Sequence, residues 1–347
     1  YWDESAAYEL SLAQVEILED TAEELHRLYL EATQWVIEQR HFAPFALPPS
    51  AQQLIIDSWQ RHEPALYGRF DFSWNGQGAP KLLEYNADTP TSLFEASVVQ
   101  WEWLETVFPD ADQFNSIHEK LIDSWRGFGL APGGLWFSCV RDHAEDRGTV
   151  DYLRDTAIQA GLDTDFIFVD EIGWNGTVFV DLDDRPIAHL FKLYPWEFML
   201  REPYAAHLKT AAVRWLEPPW KAILSNKGAL PLLWEHHKGH PNLLAAHLDP
   251  NPASAVPKGW VRKPYFSREG ANIELQTADG LIVKEDGPYT DAPFILQEFA
   301  PLPKFGDSYT LIGSWLVGDS AAGMGIREDN TLITKDSSRF LPHIILD

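Results

Sequence analysis

Residues 66–86 constrain the fold more than any other stretch of this chain. Leu66–Trp74 (LYGRFDFSW) alternates apolar and polar side chains, NGQG at 75–78 is a turn, and Lys81–Asn86 (KLLEYN) returns. This is the pattern of a β-hairpin. Strand residues two apart face the same side. Arg69 and Asp71 therefore share a face, and Glu84 and Asn86 share one on the neighbouring strand. Phe70, Phe72, Leu83 and Tyr85 are expected to fill the other face. Where the polar faces agree, two carboxylates and an amide oxygen converge beside a guanidinium. Hard oxygen donors of this kind suit Mg²⁺. Taken alone, the same spacing also fits a solvated polar face. The polarity continues past the hairpin with Asp88, Thr89 and Thr91.

Around this hairpin the hydrophobic period changes several times. Residues 6–39 read as one long helix, with Leu12, Val15, Leu18, Ala22, Leu25, Leu28 and Leu30 at helical spacing. Ser50 is the expected N-cap of a second helix, Ala51–His62, and residues 92–107 and 112–127 read as helices again. From Leu135 the pattern becomes strand, helix, strand: LWFSCV, then Thr149–Ala160 ending at Gly161, then DFIFVD. That alternation predicts a small parallel βαβ unit. A hairpin is expected over 177–194, a mostly helical Pro-rich segment over 195–257, and β structure from Gly259 onward. Within that last part NIELQT–ADG–LIVKED reads as a hairpin, and GMGIREDNTLITKD as the final pair of strands. The fold class is mixed α/β of the α+β kind.

Charge and cysteine usage exclude several functions. The formal net charge is −25, which is unsuited to nucleic-acid phosphates. It favours cationic ligands or metals. The single Cys139 excludes an internal disulfide and a cysteine metal site, and it reads as a core residue. No apolar run approaches the ~18 residues of a membrane span, and no leader is visible. A cytoplasmic protein is expected, of undetermined oligomeric state.

Other residues carry chemistry in combination. Lys263 ends the strand VRKP and is followed by the Gly-containing loop Ser267–Asn272 (SREGAN), including Ser267 and Gly270. A strand lysine followed by such a loop can grip phosphate oxygens through backbone N–H groups. Lys227 stands at an expected helix start, SNKGALP. Gln297 and Glu298 close the strand FILQEF, where polar side chains can meet an adenine edge. Arg327 and Lys335 flank a charged turn near the end of the chain. Each taken singly also fits ordinary surface polarity. His236 and His237, the only adjacent pair among twelve histidines, lack zinc spacing and read as surface. There is no P-loop, no GxGxxG and no GxSxG.

In order and together, GRFDF…LLEYNADTPTSLFEAS, LSNKGALPLLW, VRKPYFSREGANI, ILQEFAPLP and GIREDNTLITKDSSRFLPH resemble the glutathionylspermidine synthase family. These strings run from about residue 66 to 343. The resemblance implies an ATP-grasp-like antiparallel sheet with a flap, adjoined by a preATP-grasp βαβ region. The expected division is 1–130, helical with the hairpin; 131–205, the βαβ region; and 206–347, the nucleotide-binding lobes. It implies that Asp71, Glu84 and Asn86 match the Mg²⁺ ligands. Arg69 and Arg327 match catalytic arginines, and Lys227, Lys263 and Gln297 match nucleotide-binding positions; Ser267, Gly270 and Lys335 lie in the matching segments.

Thr89, Thr91, Glu145 and Asp146 fall where substrate contacts are expected, but they depart from the family pattern. Bifunctional members have a serine-rich stretch where this chain has Thr89-Pro-Thr91. The length also leaves no room for their N-terminal amidase domain. The expected function is an ATP- and Mg²⁺-dependent ligase of small-molecule acids and amines. The resemblance extends this to glutathione or a similar peptide acid joined to a polyamine. The alternatives are a non-catalytic nucleotide- or polyamine-binding protein and a phosphotransferase. The acids at Asp88, Glu145 and Asp146 are expected to steer a cationic amine.

Overall fold

The computed structural model describes residues 1–130, 134–290, 292–335 and 337–346. The 66–86 hairpin forms as expected, Tyr67–Ser73 against Lys81–Asn86, but it is not a sheet by itself. It completes an antiparallel central sheet with strands from the far end of the chain. The order is Arg339–Leu341, Ser320–Asp329, Ser308–Val317, Tyr67–Ser73, Lys81–Asn86. Phe70, Phe72, Leu82 and Tyr85 are buried on one side of the hairpin. A register shift after Asp71 pairs Phe72 with Leu82, leaving Leu83 as the extra residue. So Leu82, not Leu83, enters the core, because a bulge exchanges the faces of the residues beyond it.

The long helix Leu12–Gln39 covers that apolar face. Leu18, Ala22, Leu25, Tyr29 and Val36 are buried, and Tyr29 meets Phe70 and Tyr85 edge to face or tilted. The helix begins at Leu12, not residue 6. Ser11 and Gln14 make a reciprocal capping box, and Tyr8–Leu10 pairs in parallel with His343–Ile345. Leu12, placed in the apolar stripe by spacing, is exposed. The second helix, Pro49–Gln60, is preceded by Pro48, so Ser50 sits inside it and is not the cap. Pro49 at the first helical position has its φ already set for the turn.

The βαβ unit is present and larger than expected. Its sheet runs Thr164–Phe166, Leu135–Cys139, His189–Leu193, Arg214–Leu216, all parallel. The crossover helix is Ala144–Gln159, starting five residues before the predicted Thr149, with His143 as its cap. The hairpin expected over 177–194 forms only at its tip, where Val180 bridges Pro186 antiparallel and Ile187 N–H donates to the Phe179 carbonyl (2.9 Å). Phe179–Val180 pairs with Gly173–Trp174, and His189–Leu193 joins the parallel sheet. Every residue of HLFKL is buried, as a strand covered on both faces requires. The fourth strand, Arg214–Leu216, lies in a segment read as helical. Residues 131–133, where a division was expected, lie outside the described residues.

A second antiparallel sheet, Ala246–Asp249, Phe294–Glu298, Trp260–Pro264, Glu274–Gln276, Ile282–Lys284, forms the opposite wall of the cleft. The final pair expected over 323–336 is not one: Ser320–Asp329 pairs with Ser308–Val317. Residues 330–335 form a loop, tied by Asp329 accepting from Thr331 N (2.9 Å) and from Ser338 Oγ (2.8 Å). Asp336 lies outside the described residues. Cys139 is buried in the parallel sheet, and burial pushes its thiol up to about 11. His236 is exposed. No described helix is long and apolar enough to cross a membrane.

Candidate active site

A cleft of about 1250 Å³ of open space lies between the central sheet and the second antiparallel sheet. Arg69 and Asp71 come from one hairpin strand, Glu84 and Asn86 from the other, and Arg327 from Ser320–Asp329. Lys263 and Gln297 project from the opposite sheet, and Lys227 precedes the helix Ala229–His236. All eight line the cleft, as do Thr89, Thr91, Ser267 and Gly270. Residues more than 250 positions apart in sequence thus meet because the central sheet joins the two ends of the chain.

The hairpin charges do share one side. Asp71 Oδ1 lies 2.6 Å from Arg69 Nε, and Asp71 Oδ2 lies 3.1 Å from Arg69 Nη2 and 2.9 Å from Arg327 Nη2. Asn86 Nδ2 lies 3.2 Å from both Asp71 Oδ2 and Glu84 Oε1. Glu84 Oε2 is 3.1 Å from Lys227 Nζ. Arg69 also donates to the Thr91 carbonyl, and its guanidinium stands 5.6 Å from the Trp315 ring. It crosses Gly313, where a Cβ would lie 2.8 Å from Arg69 Cδ, so glycine leaves the path for this side chain. Lys227 Nζ donates to the Ser267 carbonyl (2.6 Å). The bulged Leu83 turns its carbonyl to Lys263 Nζ (3.0 Å), and Gln297 Nε2 donates to the Leu82 carbonyl (3.0 Å).

Four cations, Arg69, Arg327, Lys227 and Lys263, therefore converge on two carboxylates in a chain whose overall charge is strongly negative. Burial opposes the Glu84 charge, but Lys227 and Lys263 outweigh it and hold the carboxyl at about 2. Burial pushes Lys263 down to about 8, with Glu84 working the other way and Lys227 adding to the effect. Burial and then Arg69 lower Arg327, although Asp71 supports its charge. Such an excess of buried positive charge calls for an anionic ligand. The other half of the cleft is apolar: Val261, Leu275, Phe299, Leu311, Leu332 and Ile333 line it. A planar apolar group with an anionic tail fits both halves.

The donor set also fits a divalent cation. Asp71, Glu84 and Asn86 lie side by side, and turning the Asn86 amide end presents its oxygen in place of its nitrogen. Among the described residues no cluster of three His, Cys, Asp or Glu side chains suits a metal. The amide is what makes this set three.

Four positions differ from their sequence-based roles. Asp88 is no free acid: it is buried, with Lys192 Nζ at 2.6 Å and Trp196 N–H at 2.8 Å. Its charge is spent within the fold. Lys335 pairs with Glu285 and does not line the cleft. Glu145 and Asp146 occupy the first turn of Ala144–Gln159, beside the cleft and not in its lining. Glu145 accepts from the Tyr1 hydroxyl (3.4 Å), and Asp146 lies 3.3 Å from His143 Nδ1. Burial raises the Asp146 carboxyl, against His143 and Arg268.

The flap is anchored on two sides. Gly270 has φ +74°, and a Cβ there would lie 2.6 Å from Ile333 Cγ2 and 2.9 Å from the Thr334 carbonyl. Arg268 pairs with Glu197 at 2.7 Å. Neither Arg268 nor Glu197 was singled out from sequence. The signal for Arg268 was a cation inside the flap string SREG; Glu197, in PWEF, had none, because a buried acid looks like any other acid until its partner is placed. Gly270→Ala is expected to unseat the flap from residues 332–334. Backbone amides of residues 267–272 should then exchange with solvent several-fold faster than in the unsubstituted protein. Unchanged exchange would show that Gly270 does not seat this loop.

The family described as glutathionylspermidine synthase preATP-grasp matches residues 1–346. A Haemophilus influenzae protein, named only as an acid–amine ligase with no substrates in its name, is 42% identical over 99% of this chain and 90% of its own length. Trypanothione synthetase of Crithidia fasciculata is 30% identical over 91% of this chain and 53% of its own. The bifunctional glutathionylspermidine synthetase/amidase of Escherichia coli is 27% identical over 96% and 58%. The chain thus spans little more than half the length of these last two. In fold it matches a glutathione synthetase-like effector of Globodera pallida, with TM-score 0.58, 11% identity, and 97% of this chain and 89% of that one covered.

The mixed α/β fold and these relatives define an enzyme of the ATP-dependent, C–N bond-forming ligase class. Within that class the chain belongs to the glutathionylspermidine synthase family.

Proposed function

We propose that this protein joins a small-molecule carboxylate to an amine through an acyl phosphate, at the expense of ATP and with Mg²⁺. The observation that carries the reading is the cleft's charge pattern: three buried cations, Arg69, Lys227 and Lys263, and the partly buried Arg327 around Asp71 and Glu84, next to an apolar half. The carboxylate of the acid attacks the γ-phosphate of ATP, giving an acyl phosphate and ADP. A neutral amine then attacks the acyl carbon, phosphate leaves, and the amine's proton is lost, giving the amide. Lys227 and Lys263 hold phosphate oxygens, and Arg69 and Arg327 stabilise charge on the transferred group. Asp71, Glu84 and Asn86 would hold Mg²⁺, which supplies charge neutralisation for the phosphates when bound. The Ser267–Asn272 flap excludes water. Val261, Phe299, Leu311 and Leu332 receive the nucleotide base. The relatives' names support glutathione or a similar peptide acid and a polyamine as the first substrates to try.

The test is ADP release by the purified protein over a panel of acids, each with and without amines, with hydroxylamine as a trap. Amide and ADP in equal amounts support the reading. Nucleotide binding without ADP release would make the protein a non-catalytic binder. A hydroxamate without any amide would make it a phosphotransferase.

Lys263 sets a pH dependence. With its ammonium at about 8, nucleotide affinity should fall as pH rises through that value, because one phosphate partner loses its charge. Lys263→Met should flatten this limb in an ADP titration from pH 7 to 9.5. The sign for stability is opposite. The unfolded lysine keeps its proton to about 10.4, so the unfolded chain binds more protons between the two values and stability rises there.

A further inference from the structure

The strands that carry Leu311 and Arg327 to the cleft have a second, opposite face. Thr310 pairs with Glu328, Leu311 with Arg327, and Ile312 with Ile326. Successive strand residues point to opposite sides. Leu311 and Arg327 line the cleft, whereas Thr310, Ile312, Ile326 and Glu328 line a groove behind it. The groove has about 1370 Å³ of open space, no less than the cleft. Residues 5–10 of the N-terminal segment form one wall, and the turns at 74–76 and 305–306 form others.

Two properties of the groove select a ligand. The first is aromatic surface. Phe305 is 47% exposed and meets the Tyr8 ring edge to face at 5.3 Å. Trp74, Ile312, Ile326 and Leu341 continue the apolar lining. An exposed ring stacks with another ring and attracts a cation to its face. The second is charge. Asp3, Glu9 and Glu328 line the groove against one base, Arg339. Arg339 is already held by Glu328 (3.0 Å) and Ser308 (2.6 Å), and Glu328 also accepts from the Tyr8 hydroxyl. Asp3 reaches Arg339 only at 3.5 Å, and Glu9 has no ion-pair partner among the described residues. Carboxylate charge is therefore in excess beside an exposed ring, which repels anions and attracts cations.

We propose that this groove is a binding site for an aromatic organic cation, an ammonium or guanidinium carried on a ring. The charged head pairs with Asp3 and Glu9, and the ring lies against Phe305 and Tyr8. A sheet one strand thick separates the ligand from Arg327, so it takes no part in the reaction proposed above. The site goes beyond the ligase reading and does not depend on it.

Calorimetric titration of the purified protein with 2-phenylethylamine tests the site, beside 2-phenylethanol, phenylacetate and butylamine. The aromatic amine is expected to bind tightest. The alcohol lacks the charge and butylamine lacks the ring, so each should bind more weakly, and the carboxylate should not bind. Glu9→Gln and Asp3→Asn should each raise Kd for the aromatic amine about 2- to 5-fold, the range for an exposed charge pair. Phe305→Ala should raise it by a similar factor. Glu9 and Phe305 are exposed, so these two substitutions leave the fold intact and carry the test if Asp3→Asn does not fold. Failure of the amine to bind would overturn the site. So would equal affinity for amine, alcohol and carboxylate, or amine binding that none of the three substitutions weakens.

Discussion

Asp71→Asn is expected to lower kcat by about 10²–10³, the usual loss when a charge-organising group is removed from a reaction centre. It should also destabilise the protein by about 3 kcal/mol, the lower end for breaking a buried charge pair. Asp71 is 2% exposed and serves both Arg69 and Arg327. A neutral amide cannot satisfy two guanidinium groups, and burial already disfavours the Arg327 charge. Activity and stability should therefore fall together, unlike at a solvated metal ligand, where activity alone would fall. Saturating ATP should restore part of the lost stability, because its phosphates supply the missing anion. Urea unfolding with and without nucleotide, beside kcat, tests all three parts. Wild-type turnover in this variant would remove Asp71 from the mechanism.

Lys192→Met is expected to cost about 3–5 kcal/mol in folding free energy, for the reason that one charge of a buried pair is left alone. Lys192 Nζ and Asp88 Oδ1 are 2.6 Å apart, both almost fully buried, and Lys192 lies 4.6 Å from the Trp196 ring. Burial pulls the Lys192 ammonium down and Asp88 holds it up. Asp88 follows the hairpin and Lys192 lies in the parallel sheet, so the pair ties the cleft's carboxylate wall to that sheet. The double variant Asp88→Asn with Lys192→Met should be more stable than Lys192→Met alone. A double-mutant cycle in urea measures the coupling. Single variants whose losses simply add would show that the pair contributes little.

Much of the site was legible because it is built from local periods. Arg69, Asp71, Glu84 and Asn86 alternate on two strands joined by the short connection 74–80, and alternation alone puts each pair on one face. Lys263 before SREGAN and Lys227 before a helix stand at element ends, where sequence marks boundaries well. The βαβ start at Leu135 was legible for the same reason, as an apolar run followed by a helical period. The burial of Cys139 followed from its place in that run.

What the sequence by itself determined is therefore the local part: which segments form hairpin, helix and strand, and which side chains share a face. Only the tertiary structure decided which faces meet. HLFKL reads equally as a hairpin arm or a central parallel strand, and burial on both sides settled it. The bulge after Asp71 placed Leu82 in the core and Leu83 at the cleft, because one extra residue reverses a period of two. Asp88, Glu197 and Lys335 are acids and a base of ordinary type; their roles depend on Lys192, Arg268 and Glu285, which lie far away in sequence. Charge interactions act through distance and burial, and neither is written in spacing along the chain. Local periodicity thus built the two walls of the cleft, and the pairing of distant charges decided which groups remain free to bind.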